Sequence, residues 1–297
     1  MKRFMKGCAI AALIFFLLGI GMITAVFALI DREEVSKAVW ELTNGKVELR
    51  LNSWTDFGVH INGRWLGSLG MNTEDMFDED YEVWDGEVEK TRINEDEIEE
   101  LDIQISCSSL VIRESSDAFF YIEKSGDGKL QAYEENGILY VKALLNGSVL
   151  GVQKETEVIL YVPKNVDLHM IDVELGAGEV EWNVLKADAM KVELGAGDFV
   201  AKNVVVGDLE VSLGAGECLI QGDLQGDVKV DCAAGSVTLK HTGAEDEFNY
   251  EIDCAVGSAQ IGKESFAGLA SSKEIDNDAS KTMEINVSAG SVEVKFE

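Results

Sequence analysis

Glu174 and Glu193 hold the same place in two copies of one motif, VELGAGEVEW from Val173 and VELGAGDFVA from Val192, and Asp231 and Asp253 hold it in two later copies. Carboxylates brought round at a fixed interval offer the oxygen ligands that calcium takes, so these four are the candidate cation-binding residues of the chain. A second acidic column begins Glu179, Asp198, Glu217. Neither column has a cation between its members, and the simpler explanation of both is a solvated face whose repulsion is screened by salt.

The other candidates point away from catalysis. Cys107, Cys218, Cys232 and Cys254 fall where neighbouring copies carry Val, Leu or Ala, so they read as small buried hydrophobes and not as a disulfide framework or a metal set. Copy order puts Cys232 and Cys254 on adjacent layers, and Asp231 and Asp253 with them. His60, His169 and His241 are scattered without the spacing of a zinc site. The Gly-Ala-Gly segments link strand to strand and lack the helix start that a phosphate cradle needs. No G-x-S-x-G or P-loop stands in the chain. The expectation is no enzyme, no catalytic residue and no cofactor.

The element that must carry these residues is a strand. Aligning first places at Ile171, Met190, Leu209, Val228, Tyr250 and Met283 puts Val173, Val192, Val211, Val230, Ile252 and Ile285 third, and apolar residues at the fifth and seventh places too. Alternation at period two means a strand with one buried face, and the small residues at places six to eight mean a corner. Apolar tenth and twelfth places, such as Val180 and Trp182, mark a second strand after it. A unit too small to bury its own apolar face must stack on its neighbours, like above like at about 4.8 Å.

The expected class is mainly β: a single-chain parallel β-helix, right-handed by the crossover rule. Leu101 to Ile112 fits the same template, so the segment Phe119 to Pro163 is an insertion. Its alternating runs and its Asn136-Gly137 turn predict an antiparallel hairpin region flanking the first coil. The wider steps after Val230 and Ile252 leave loops, of which AGLASSKEIDNDAS reads as a polar surface loop. Outward second places Asp172, Lys191, Glu210, Lys229 and Glu251 alternate in sign along the stack, a ladder of opposite charges.

Ahead of the repeats, Cys8 to Ile30 runs twenty-three residues without a charge, enough for a transmembrane helix. Lys2, Arg3 and Lys6 precede it and acidic residues follow, so the N-terminus is expected in the cytoplasm and the rest outside. The domains expected are a cytoplasmic tail over 1–6, the membrane helix over 7–30, a juxtamembrane helix and acidic linker over 31–100, and the β-helix over 101–297. Fourteen acids between Thr73 and Glu100 make that stretch read as a solvated loop. A net charge of −30, from 55 acidic and 25 basic residues, argues against nucleic acid and anionic lipid as partners.

VILYVPKNVDLHMIDVELGAGEVEW, the iterated V-x-L-G-A-G turns and the closing SAGSVEVKFE resemble a bacterial adhesin-like family of envelope domains, over roughly Leu101 to Glu297. The resemblance implies β-helical repeats and assigns no functional residue. The resulting expectation is a non-catalytic, single-pass cell-membrane protein that binds an envelope polymer or protein from outside. An accessory of an envelope-stress or signalling system is the alternative, and a carbohydrate-active enzyme on a β-helix a second one.

Overall fold

A computed structural model describes residues 47–53, 56–61, 64–68, 76–93, 97–106, 108–126, 128–144, 156–164, 166–267 and 271–297. The expected membrane helix, the juxtamembrane helix, Cys8 and Cys107 lie outside these residues. Among the described residues no helix is long and apolar enough to cross a membrane. Two compact units divide the chain, Met1–Trp65 and Leu66–Glu297. The strand expected from Lys46 is present: β1 (Val47–Ser53) pairs antiparallel with β2 (Asp56–Ile61), and β3 (Arg64–Ser68) follows in the same sheet.

The second unit is mainly β and solenoid-like. Its spine is β12 (Leu168–Leu175) followed by β13 (Gly178–Leu224), a strand that continues through its own corners, and then β14 (Val228–Cys232) and β15 (Ser236–His241). The pairings are parallel and keep the register of the repeat: Ile171 lies beside Met190, Val173 beside Val192 and Leu175 beside Leu194, then Val211 beside Val230. First, third and fifth places are buried, with Val173, Val192, Val211 and Val230 all at 0% exposure, while the seventh, at the corner, is exposed at Ala196, Ala215, Ala234, Val256 and Ala289. Burying such rows, at about 25 cal/mol per Å² of apolar surface, is what holds one coil on the next.

Chain order and spatial order part company at both ends. β6 (Glu100–Ser106) and β7 (Ser108–Ser115) form a coil that stacks on β12 and β13, and β10 (Ile138–Leu144) with β11 (Glu157–Pro163) adds a further parallel coil outside it. β8 (Tyr121–Ser125) and β9 (Lys129–Glu135) then pair antiparallel on that outer coil, and β4 (Trp84–Asp85) with β5 (Val88–Arg92) closes the end. The expected hairpin is therefore there, with Asn136 at φ 55° and Gly137 at φ 81° in its turn, but half of the insertion forms a coil. The acidic stretch is not wholly solvated, because Val88 and Ile98 are buried in the same core as the repeats. Among its described residues Glu79, Asp80, Glu82, Asp85, Glu87, Glu89, Glu97 and Glu99 are exposed.

At the other end the last coil, β20 (Lys281–Val287) and β21 (Ser291–Phe296), slots between β14–β15 and the coil made of β16 (Phe248–Cys254) and β17 (Ser258–Ile261). Val287 thus separates Cys232 from Cys254, and Asn286 separates Asp231 from Asp253, so neither pair is adjacent as copy order implied. The expected polar loop holds β19 (Ser271–Ile275), antiparallel to β16, and β18 (Glu264–Ala267), antiparallel to β17, leads into it. Antiparallel strands cap both ends. Lys273 and Glu274 are exposed on β19, a charged edge of the kind that discourages further strand addition.

Corners dictate the glycines. A Cβ on Gly197 would stand 2.6 Å from the carbonyl oxygen of Gly178, one on Gly235 2.6 Å from that of Gly216, and one on Gly216, at φ 113°, would collide with that of Gly197. The opposite corner carries a misfit: Val184 has φ 72° and is 49% exposed, while Asn203, nineteen residues on, adopts φ 54°. A β-branched residue is poorly suited to the left-handed region and Asn tolerates it. In denaturant unfolding, Gly216→Ala is expected to destabilise the solenoid by about 2 kcal/mol or more, since it meets both the φ and the carbonyl. Val184→Asn is expected to stabilise it by about 1 kcal/mol.

Candidate functional site

The outer face of the sheet containing β12, β14 and β20 carries the candidate carboxylates. Glu174 lies between Gln104 and Glu193, and Asp231 lies between Ser212 and Asn286. Glu174 and Glu193 are therefore neighbours as expected; Asp231 and Asp253 flank Asn286 and do not touch. Among the described residues no group of three His, Cys, Asp or Glu side chains is arranged to hold a metal.

The charge that offsets this column is on the same strands, two residues earlier. Lys191 Nζ is 2.8 Å from Glu193 Oε1 and 3.4 Å from Asp172 Oδ2, and Lys229 Nζ is 3.8 Å from Asp231 Oδ2 and 4.0 Å from Glu284 Oε1. Asn286 Nδ2 donates to Asp231 Oδ1 at 3.0 Å and to Glu284 Oε1 at 2.8 Å. Burial works against the Lys191 ammonium, but its hydrogen bond to Glu193 and the charges of Glu193 and Asp172 prevail and hold its pKa above the usual lysine value. The sign alternation of the second places is real in the middle of the stack and fails at both ends. Asp102 lies beside Asp172, and Glu284 beside Glu251.

Glu174 is the exception, because its strand carries Asp172 where the next carries Lys191. Burial first, then the charges of Glu193 and Asp172, push its pKa above the usual carboxylate value. Asp102 is pushed up for the same reasons, by burial and by Asp172. Beside these columns runs a groove of about 360 Å³ with Met190, Leu209 and Val228 in its lining and Lys191, Glu210 and Lys229 along one side. Two carboxylates on its other side are engaged with backbone: Asp208 Oδ1 accepts from Asp227 N–H at 2.9 Å, and Asp227 Oδ1 from Thr282 N–H at 2.8 Å. They stitch coil to coil.

Among the described residues the thiols and one of the two remaining histidines are enclosed. Cys218, Cys232 and Cys254 are free buried thiols, and burial pushes the pKa of each above the usual cysteine value. His169 is exposed and pairs with Asp188 at 2.8 Å. His241 is fully buried; its Nδ1 accepts from Leu224 N–H at 3.2 Å and its Nε2 faces Glu247 Oε2 at 3.4 Å. Lys281 donates to Glu247 Oε2 at 3.0 Å and to Leu224 O at 3.1 Å and lies over the Phe248 ring. The backbone N–H of Ala244 and then Lys281 hold the Glu247 pKa down at about 2. This network ties the start of the inserted last coil to the coils on either side. The sequence carries no local sign of it, since its members are brought together only by the out-of-order stacking.

A stack of parallel coils with strand caps defines the class: a mainly β, solenoid-like domain. The chain belongs to the Toastrack DUF4097 family, which matches residues 98–296. No curated protein matches it. Among solved structures it is similar to a proposed cell adhesion protein from Clostridium sporogenes, at 13% identity and TM-score 0.42, covering 72% of this chain and 100% of that one. It is similar also to a proposed adhesin from Bacteroides fragilis, at 11% identity and TM-score 0.34, over 72% and 97% of the two chains. A proposed lipid-binding protein from Parabacteroides distasonis follows at 14% identity and TM-score 0.32, over 71% and 96%. Likenesses of this degree carry nothing about what the present chain binds.

Two measurements test the face. Folding raises the Glu174 pKa, so the folded chain holds that proton more tightly than the unfolded one, and stability falls as pH rises through the folded value. Glu174→Gln is expected to melt higher than the wild type at pH 7, the gap closing as pH drops below the ordinary carboxylate range. If Glu174, Glu193, Asp231 and Asp253 form only a charged surface, low-millimolar calcium and sodium chloride of matched ionic strength are expected to shift the melting temperature equally. A larger calcium shift, abolished by Glu193→Gln with Asp231→Asn, would establish a cation site instead.

Proposed function

We propose that the chain is a non-catalytic binding protein of the cell envelope, anchored by one membrane helix over 7–30 with its N-terminus in the cytoplasm and its solenoid, wound to the right, outside. The observation that carries the binding reading is the form of the outer surface. Glu193 and Asp231 are offset by lysines on their own strands, Asp208 and Asp227 are engaged with backbone amides, and Cys218, Cys232, Cys254 and His241 are enclosed. What the solenoid presents is long ordered faces, the form of surface on which repeat proteins bind. The anchor rests on the uncharged run Cys8 to Ile30 and the lysines and arginine before it.

Protease shaving of intact cells tests the topology. Residues 31–297 are expected to be digested from outside and the tail before residue 7 to be protected. Protection of the solenoid in intact cells, with digestion only after lysis, would end the envelope reading. The non-catalytic part is tested by incubating the full-length chain with acidic polysaccharides. No new reducing or unsaturated ends are expected, and their appearance would make it an enzyme.

A further inference from the structure

The second sheet has an outer face that chain order conceals. In the layers at its N-terminal end, Arg92 lies beside Tyr121, Tyr121 beside Tyr161, and Tyr161 beside Arg113. The same place passes through Asn183, next after the Trp182 that pairs with Ile112, and through Lys202 and Gln221 at the interval of the repeat. Gln221 lies beside Lys240, and Lys240 beside Lys295. In a chain of net charge −30, this column holds five cations and no carboxylate. At about 4.8 Å per layer it extends for roughly 38 Å, one side chain wide.

Its surroundings fit a ligand that is both charged and apolar. Lys90 Nζ lies 3.8 Å from the Tyr161 ring centre and 4.7 Å from that of Tyr121, and Arg92 lies 3.5 Å from that of Phe119. Neither Lys202 nor Lys240 is in an ion pair among the described residues. The adjoining outward column is partly apolar, with half-buried Val111, Val200 and Leu219. Carboxylates do stand nearby, but Glu123 accepts from Tyr161 at 2.8 Å, Glu293 pairs with Lys295 at 2.8 Å, and Glu297 accepts from Gln221 at 3.2 Å. Glu181 stands beside Val111 in the apolar column.

We propose that this stripe is the binding surface of the protein and that its partner is an extended acidic polysaccharide lying along the stack. Carboxylates on successive sugars meet the lysines and arginines of successive layers, while sugar C–H faces pack on Val200 and Leu219. A stripe one side chain wide matches a single extended chain and not the plane of a lipid surface. The proposal deepens the binding reading above and rests on it; binding is measured in solution and topology in cells, so each can fail alone.

The test is affinity electrophoresis and calorimetry of the full-length chain in neutral detergent with polygalacturonate, at low and high sodium chloride. Polygalacturonate is expected to bind, dextran not, and added salt to weaken the binding as screening demands. Lys202→Gln, Lys240→Gln and Lys295→Gln combined are expected to weaken it by about tenfold or more. Lys191→Gln on the other sheet is expected to leave it unchanged, and a thermal melt of each variant confirms folding. Failure to bind polygalacturonate, equal binding of dextran, or an unchanged triple variant would overturn the proposal. So would single-stranded DNA or phosphatidylglycerol vesicles bound as tightly as polygalacturonate.

Discussion

Backbone laid directly on backbone at the Gly-Ala-Gly corners is the constraint on which the rest of the solenoid depends. The carbonyl oxygen of one turn occupies the space where a Cβ of the next would be, from Gly178 through Gly197 and Gly216 to Gly235, and on through Gly290 to Gly257. Corners that touch this closely cannot slide, so each coil is locked in register with its neighbour. A slip of one residue would turn every Val and Leu of the odd places out to solvent. The fixed corner and the buried row therefore reinforce one another.

Locked register places equivalent side chains one strand apart, and the outer columns inherit that spacing. A column of equal charges repels itself unless something on the same strand intervenes. Here the second place supplies it, with Lys191 beside Glu193 and Lys229 beside Asp231. Where a strand lacks the lysine, as at Glu174, the cost appears as a carboxyl that gives up its proton less readily. Asp208 and Asp227 resolve the same problem differently, accepting backbone amides of the coil beyond.

The regular coils are legible in the sequence because their evidence is local: alternation in five residues, then small residues at a corner. Ile171, Met190, Leu209 and Val228 align in the structure as they do in the repeat. The position of the last coil is not legible, because Tyr250 and Met283 open templates with the same apolar places. Either satisfies the edge that Val228 presents, and the choice of Met283 depends on packing over the whole end. In the acidic stretch, a density of fourteen acids concealed the apolar Val88 and Ile98. Their burial is decided by the end of the stack that they cover.

The same distinction explains why a net charge of −30 is a poor guide to what such a molecule binds. Summed charge governs solubility and long-range attraction, but a solenoid sorts its residues into columns, and a partner lying along one column meets that column first. Arg92, Tyr121, Tyr161 and Arg113 come from four strands, two of them in the antiparallel layers of the N-terminal end. Lys240 and Lys295 meet only because the last coil enters beside β15. The out-of-order coils at both ends thus do more than cover the core. They extend a basic row beyond the regular repeats, on a surface whose average is acidic, and the row follows from the stacking and not from any run of basic residues in the chain.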